Sequence, residues 1–290
     1  MREPNGAAYT EGILREPPAH EIAWLEEEVM RRLTALGIVT PSRHLQRVVM
    51  VTRMLLPELP LDAVIPMVLQ ALWIYLTDAL VDGSISTSVL EEHLHSWQAQ
   101  RTPDKTRLEP GHRLLRLLQD ELTAWAPEYR YEQWWGAVRQ FLDAQLIQRC
   151  TLAPSYLDYL ATRTVAQGIP LTVTLAALVA GYADELQTRR AGTLLWWAGC
   201  YIGLVNDLSS YEREVREGTA RTANARGVLA AIRATSGVPI DERLSATLVH
   251  RDMETSWEQL NRTLGPQSTW TPIDWMIARL AQLLHSGYAQ

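Results

Sequence analysis

Apolar side chains recur every three to four residues along most of this chain, from about Ala19 onward. The first clear series stops before Gly37 and consists of Ile22, Leu25, Val29, Leu33 and Leu36. This period is typical of a helix with one face turned to a core, and glycine commonly follows a helix end. No stretch of the sequence alternates apolar and polar residues over the length of a strand. The pattern predicts an all-α protein.

Prolines and glycines divide the pattern into roughly a dozen helices. Residues 1–18 contain three prolines and two glycines, which predicts a flexible N-terminal lead-in. No proline-rich or Gly/Ser linker interrupts 19–290, so this region is expected to form a single helical domain. The predicted helices are 19–36, 41–56, 61–82, 86–101, 107–125, 129–151, 155–167, 170–183, 186–217, 222–236, 239–265 and 272–287.

Two acidic residues interrupt the helix predicted at 61–82, which is apolar nearly all round and is therefore expected to be central. Asp78 and Asp82 are four residues apart, so they share one face. Burial and the negative end of the helix dipole both disfavour carboxylates there, and bound cations would remove both penalties. The alternative is that Asp78 pairs with an arginine and Asp82 meets solvent.

A second polar face follows the apolar run Leu194–Val205. Asn206, Ser210 and Glu214 recur every four residues, and no helix breaker lies between Gly203 and Gly218. They therefore lie within roughly 80° of one another on one face of a helix. An amide oxygen, a hydroxyl and a carboxylate are hard ligands that suit Mg²⁺. The alternative is a helix that leaves the core and becomes solvated.

Together these two sites resemble those of bacterial class I terpene synthases. That family carries a D-D-x-x-D motif and an N-D-x-x-S-x-x-R/K-E motif, and Arg213 before Glu214 completes the second pattern here. The resemblance covers nearly the whole chain and implies a single-domain α-helical bundle with a central apolar cavity. It also implies three Mg²⁺ ions and a prenyl diphosphate, with Asp78, Asp82, Asn206, Ser210 and Glu214 as metal ligands. Ala79 stands where the second aspartate usually is.

The stretch Tyr159–Gly168 resembles the family's helix break, where an arginine senses the diphosphate. By this resemblance Arg163 binds the diphosphate, for which a guanidinium is suited, and the backbone near Gln167 faces the substrate. Ala166 replaces the Asp or Thr that usually links them. A surface arginine is the alternative. Tyr288 would be the tyrosine of the family's C-terminal Arg-Tyr pair, but no arginine precedes it.

Helical spacing predicts the residues that line a substrate pocket below the two metal motifs. They lie three, four and seven residues before Asp78 and Asn206, and they are Tyr75, Ile74, Ala71, Gly203, Ile202 and Gly199. Helix packing is the alternative for the glycines, and ordinary core for the isoleucines. Tyr75 and one tryptophan of Trp196–Trp197 are expected to stabilise a carbocation, since aromatic faces attract cations.

The composition of the chain indicates which classes of partner are disfavoured. The net charge of −6 and the lack of a basic cluster argue against nucleic acid. Cys150 and Cys200 have no metal-binding spacing, and the N-terminus lacks the layout of a signal peptide. The apolar runs Leu194–Val205 and Leu171–Gly181 are too short to span a bilayer. A cytoplasmic protein without a membrane span is expected, and a homodimer is compatible with the resemblance.

The function implied by the resemblance is that of a lyase. It would ionise a prenyl diphosphate of twenty or fifteen carbons with Mg²⁺, release diphosphate and cyclise the carbocation to a terpene hydrocarbon or alcohol. One alternative is a pre-cyclised, labdane-type diterpenyl diphosphate as substrate. Another is a non-catalytic helical protein that binds a prenyl diphosphate. A chain-elongating prenyltransferase is disfavoured, because the Asn/Ser/Glu motif stands where a second aspartate-rich motif would be needed.

Overall fold

The computed structural model describes residues 14–81, 87–98, 109–125, 128–237 and 240–288. Every regular element in these ranges is helical, which confirms the predicted all-α class. Short 3₁₀ turns span Ala183–Gln187 and Gln267–Thr269. The helices are α1 (Ala19–Ala35), α2 (Ser42–Leu55), α3 (Leu61–Val81), α4 (Thr87–Gln98), α5 (Glu109–Trp125), α6 (Glu128–Cys150), α7 (Tyr156–Ala166), α8 (Ile169–Val179), α9 (Arg189–Glu217), α10 (Ala220–Ala223), α11 (Ala225–Thr235), α12 (Glu242–Leu264) and α13 (Pro272–Tyr288).

The long helix α9 has clear sequence signals at both ends. The Thr188 side chain accepts a hydrogen bond from the Ala191 N–H, which caps the first turn. Gly218 ends the helix in the left-handed conformation, with φ 77°. The polar segment with Asn206 and Glu214 therefore continues the apolar run as one helix, as predicted.

Several helix bounds differ from the sequence-based prediction: α9 begins at Arg189 rather than at 186, α12 begins at Glu242 rather than at 239, and two differences are larger. Helix α8 ends at Val179 rather than at 183, and Gly181 follows with φ 82°, a conformation that glycine adopts without strain. The predicted helix 222–236 is divided in two at Asn224, which has an extended backbone. Asn224 is therefore the N-cap of α11 rather than an interior helical residue.

The contacts divide the chain into two compact units. Among the described residues, one comprises 14–139 and 171–186, and the other comprises 140–170 and 187–288, with the gaps given above. The single helical domain expected for 19–290 stays a prediction, and the lead-in 1–18 lies mostly outside the described residues.

In the first unit, α3 packs against α1, α2 and α5. Trp73 is fully buried on α3, and its ring lies 6.0 Å from that of Trp97 on α4. The Trp134 indole N–H of α6 donates to the side-chain oxygen of Gln70 at 2.8 Å, which satisfies two buried polar groups. Helix α3 is thus the core helix of this unit.

Helix α3 also corrects the sequence-based search for apolar runs, which considered only those of α8 and α9. Within the described ranges it is the single helix whose length and composition pass the test for a membrane span, with a mean hydropathy of 1.7. However, 67% of its apolar window is buried inside the chain, as expected of a core helix. The lack of a membrane span and the cytoplasmic location stay predictions.

In the second unit, α9 packs against α7, α10, α11, α12 and α13. Leu194, Ala198 and Leu204 of α9 are fully buried. On the α12–α13 side, the buried Tyr201 hydroxyl forms a 2.7 Å hydrogen bond with Nδ1 of His285. Helix α9 is therefore central in this unit, and the polar residues of its C-terminal half lie beside neighbouring helices.

Candidate functional site

The three predicted metal ligands of α9 lie on successive turns of one continuous helix. Ser210 and Glu214 are buried, whereas Asn206 is exposed. The Ser210 hydroxyl donates to the backbone carbonyl of Asn206 at 2.8 Å. Because a hydroxyl that donates one hydrogen bond keeps its lone pairs, the Ser210 oxygen can still coordinate a cation.

Arg163, in the last turn of α7, contacts the first residue of this motif. It is 9% exposed, so the alternative of a surface arginine is wrong. Its Nη2 donates to the side-chain oxygen of Asn206 at 2.8 Å and lies 2.6 Å from a carboxylate oxygen of Asp207. The predicted diphosphate-binding arginine and the first predicted ligand of the Asn/Ser/Glu motif are therefore in direct contact.

Asp207 is the acidic centre of this contact and is completely buried. Its Oδ2 accepts from the Tyr159 hydroxyl at 2.6 Å and from the backbone N–H of Ala225 at 3.0 Å. Burial raises the pKa of the Asp207 carboxyl to about 6, against the lowering effects of Arg163 and Tyr159. The 2.6 Å approach of the Arg163 guanidinium to this carboxylate makes the two residues a buried ion pair.

The other two groups of this contact keep complementary protonation states. Burial lowers the pKa of Arg163, but Asp207 together with Tyr159 and Glu214 outweighs burial, and the net pKa lies above the ordinary value. Burial and Asp207 raise the pKa of Tyr159 well above its ordinary value. Tyr159 therefore stays a neutral donor, and Arg163 stays a cation.

The helix break after Arg163 occurs where the sequence predicts it. Helix α7 ends at Ala166, Gly168 has φ 70° and α8 begins at Ile169. The Gln145 side chain donates to the Ala166 carbonyl at 2.9 Å. With its amide oxygen turned toward the guanidinium, Gln167 accepts from Nη1 and Nη2 of Arg163 at 2.9 Å. The contact of Gln167 with substrate stays a prediction, since its side chain lies against Arg163.

Glu214 is held by a residue that the sequence-based prediction did not include. Nδ2 of Asn224 donates to its Oε2 at 2.8 Å and to the Asp207 carbonyl at 2.7 Å. The other carboxylate oxygen, Oε1, lies 3.8 Å from Nη2 of Arg213. The Arg213 side chain is 52% exposed, so it can turn toward a ligand in solvent.

The side-chain oxygens of Asn206, Ser210 and Glu214 fit a hard cation such as Mg²⁺. An amide oxygen, a hydroxyl and a buried carboxylate are all oxygen ligands, and Mg²⁺ prefers oxygen. Across the described part of the chain, no three His, Cys, Asp or Glu side chains cluster as a metal site. The predicted motif contributes only one carboxylate, from Glu214, and takes its other oxygens from Asn206 and Ser210.

In the other unit, the predicted aspartate motif can be described only in part. Asp78 and Tyr75 are exposed on α3, and Ile74 is half-buried. The Tyr75 ring packs against that of His44, with centroids 3.9 Å apart. Asp82 lies outside the described residues, as does the side chain of Tyr288. The metal roles of Asp78 and Asp82 stay predictions.

Helix packing accounts for the two glycines that were predicted to make room for substrate. A Cβ at Gly199 would lie 2.1 Å from Cγ2 of Thr164, and one at Gly203 would lie 2.9 Å from Cγ of Arg163. Both glycines thus allow α7 to approach α9 closely. Their part in a pocket stays a prediction, as does that of Ile202, which is buried. Trp196 and Trp197 are half-buried.

The prediction from sequence missed Asp207, Tyr159 and Asn224. A signal existed for Asp207, because a carboxylate next to an apolar helical run needs a partner. Tyr159 lies one helical turn before Arg163 on the same face. Asn224 is a favourable N-cap residue before the apolar segment 225–235, a signal that the predicted start at 222 overlooked.

Comparison with known proteins agrees with this geometry. Residues 71–259 match the profile described as terpene synthase family 2, C-terminal metal binding. This range includes Asp78, Arg163 and the Asn206–Glu214 motif. No curated protein matches the sequence.

Solved structures of bacterial synthases share the fold. Linalool/nerolidol synthase from Streptomyces clavuligerus, in complex with 2-fluorogeranyl diphosphate, aligns with a TM-score of 0.71 at 15% identity, covering 97% of each chain. The 2-methylisoborneol synthase from Streptomyces coelicolor A3(2), with Mg²⁺ and 2-fluoroneryl diphosphate, gives 0.71 at 16% identity, covering 100% of this chain and 95% of that one. Wild-type cucumene synthase gives 0.68 at 14% identity, covering 95% and 96%.

Proposed function

The chain belongs to terpene synthase family 2 and is a terpene synthase, and on this premise we propose that it ionises a prenyl diphosphate with Mg²⁺ and cyclises the carbocation. The observation that carries the proposal is the 2.8 Å hydrogen bond from Arg163 to Asn206. It joins the residue on α7 that we propose binds phosphate to the residue on α9 that we propose binds the metal, 43 residues apart in sequence. A purely structural arginine would need only Asp207, not an amide in the metal motif.

The residues of the chain divide the work of ionisation. Asn206, Ser210 and Glu214 would hold Mg²⁺ on α9, and Asp78 and Asp82 would supply the carboxylates of the second motif. When bound, Mg²⁺ neutralises diphosphate oxygens and makes diphosphate a better leaving group. Arg163 and Arg213 would donate charge-assisted hydrogen bonds to the same oxygens, with Tyr288 as a further donor.

The bond that breaks is the one between the allylic carbon and the diphosphate oxygen. Its electron pair leaves with diphosphate, and an allylic cation remains. Internal double bonds attack that cation, and loss of a proton or capture of water ends the sequence as a hydrocarbon or an alcohol. Apolar residues such as Ile74 and Ile202 would exclude water in the meantime, and Tyr75 with Trp196 or Trp197 would stabilise the charge.

The proposed substrate is farnesyl or geranylgeranyl diphosphate. Gly199 and Gly203 do not indicate the length of the substrate, because α7 side chains lie beside both. A structural neighbour was solved with 2-fluorogeranyl diphosphate, so geranyl diphosphate belongs in the test.

The test is incubation of the purified protein with each of the three diphosphates, with Mg²⁺ or with EDTA, followed by mass spectrometry of the organic extract. A product that requires Mg²⁺ and is lost in Asn206→Ala and Asp78→Ala supports the proposal and identifies the substrate length. No product from any of the three, with the fold intact, contradicts an acyclic substrate. A labdane-type diphosphate would then be tried.

Two neighbouring serines provide a matched pair. Ser209 and Ser210 both donate to the Asn206 carbonyl at 2.8 Å, but only Ser210 belongs to the metal motif. Ser210→Ala is expected to raise the Mg²⁺ concentration needed for half-maximal activity, whereas Ser209→Ala leaves it unchanged. Equal effects of the two substitutions would mean that the shared hydrogen bond, rather than metal binding, is what matters.

A further inference from the structure

Asn224 lies at the junction between α10 and α11 and is completely buried. Its Nδ2 donates to Oε2 of Glu214 at 2.8 Å and to the carbonyl of Asp207 at 2.7 Å. Its side-chain oxygen accepts from the backbone N–H of Arg226 at 3.1 Å and caps α11. The amide therefore uses both its donor and its acceptor, and it links two turns of α9 to the start of α11.

The backbone that carries Asn224 is itself fixed. The carbonyl of Ala223 accepts from the Gln148 side chain at 3.1 Å, and the Tyr159 hydroxyl, whose proton goes to Asp207 at 2.6 Å, lies 3.1 Å from the same carbonyl. Helices α10 and α11 also approach closely, since a Cβ on Gly227 would lie 2.0 Å from the Ala220 carbonyl oxygen. The backbone is thus held on both sides of Asn224, in α10 and in α11. The packing of these helices therefore fixes the direction of its side-chain N–H groups.

Glu214 needs such a partner if one of its oxygens is to face a cation. The residue is buried, with 7% of its surface exposed. Without the Asn224 donor, Oε2 would be a buried charged atom without its hydrogen bond, which is costly. The carboxylate would then rotate toward Arg213 or solvent. With the donor present, Oε2 is held and Oε1 is left for a ligand.

We propose that Asn224 is a positioning residue that orients the Glu214 carboxylate for divalent cation binding. The proposal rests on the proposed role of Glu214 as a metal ligand. Groups that hydrogen-bond to metal ligands typically contribute about 10–100-fold to metal affinity, whereas an N-cap alone contributes to the stability of its helix. The two roles of Asn224 therefore predict different measurements.

The test measures the binding of Mn²⁺ to the purified protein in the presence of inorganic diphosphate. The electron paramagnetic resonance signal of free Mn²⁺ reports how much of the ion is unbound. Asn224→Ser keeps a capping oxygen for α11 but is too short to reach Glu214. It is expected to weaken Mn²⁺ binding by about tenfold or more. In a Glu214→Gln background the same substitution is expected to change binding little, because coupled residues are not additive.

Asp241→Ala is the matched control. Asp241 caps α12 by accepting from the Leu244 N–H at 2.6 Å and is exposed, so its loss lowers stability without touching Glu214. Its Mn²⁺ affinity is expected to equal that of the wild type. If Asn224→Ser does not fold, as judged by circular dichroism, Asn224→Thr keeps the cap with a bulkier side chain and takes its place.

The outcomes separate this proposal from the one that it rests on. If the wild type binds Mn²⁺ and a folded Asn224 variant binds within twofold of it, the positioning role is overturned while the proposed function stands. An equal loss in the wild-type and Glu214→Gln backgrounds also overturns it, because the effect would not pass through Glu214. Failure of the wild type to bind Mn²⁺ with diphosphate overturns both.

Discussion

Arg163 donates a 2.8 Å hydrogen bond to the side-chain oxygen of Asn206, the atom that the family motif assigns to a metal. An amide oxygen has two lone pairs, so one can remain with Arg163 while the other faces a cation. Arg163 and a bound metal ion would therefore both contact the side-chain oxygen of Asn206. A change at either residue should be felt at the other.

Asp207→Ala is expected to destabilise the protein strongly. It removes the acceptor of Arg163, Tyr159 and the Ala225 N–H together, and it leaves a buried guanidinium without its carboxylate. Breaking a buried pair in this way costs about 3–5 kcal/mol. Urea unfolding would measure the loss. Glu132→Ala is the control, because its contact with Arg139 is 4.0 Å long and exposed, so a change of about 0–1 kcal/mol is expected. A similar small loss for Asp207→Ala would contradict the ionic pair.

Arg163→Lys tests recognition of phosphate separately from charge. An ammonium keeps the positive charge beside Asp207 but lacks the planar fork that binds phosphate through two donors. The loss of one charge-assisted hydrogen bond should weaken inhibition by inorganic diphosphate roughly tenfold. Steady-state inhibition with the identified substrate would measure it. An unchanged inhibition constant in a folded Arg163→Lys protein would remove Arg163 from the diphosphate site.

Gly199→Ala and Gly192→Ala are expected to change stability in opposite directions. A methyl group at Gly199 would lie 2.1 Å from Cγ2 of Thr164, so α7 and α9 would have to separate, at a cost of about 1–3 kcal/mol. Gly192 lies on the same helix, and a Cβ added there would have no neighbouring side chain or other helix within 4 Å. Alanine at this position should therefore stabilise the helix by about 0.5–1 kcal/mol. Thermal unfolding would compare the two. Stabilisation by both substitutions would show that the space at Gly199 is open.

Glu28 in the first unit is expected to make stability depend on acidic pH. Hydrogen bonds from Arg31 and Arg32 lower the pKa of the Glu28 carboxyl from 4.5 to about 2, against the effect of burial. Because the folded-state pKa is the lower one, this stabilisation is fully present above pH 4.5 and is lost as the pH falls toward about 2. Solvent screening reduces the effect, so Glu28→Gln should cost about 1 kcal/mol at neutral pH. Thermal unfolding of both proteins over this range should show the difference disappear, and a constant difference would contradict the pKa assignment.

The sequence alone determined the helical class and most helix bounds, because both follow from local signals. Apolar periodicity gives the helices, and Gly37 and Gly218 mark helix ends through backbone preferences that act over a few residues. The face shared by Asn206, Ser210 and Glu214 follows from the helical period in the same way. The family motif then gave that face a chemical meaning.

Only the tertiary structure decided which partners these residues have. Nothing in the period of α7 shows whether Arg163 is exposed or paired, and its contact with Asn206 spans 43 residues of sequence. The same is true of Gly199, where only the approach of Thr164 explains the missing side chain. Asn224 reaches Glu214 because α10 and a close α10–α11 contact bring the chain back onto α9. Such contacts depend on how whole helices pack, and a local pattern of residue types shows which face is buried but not which helix packs against it.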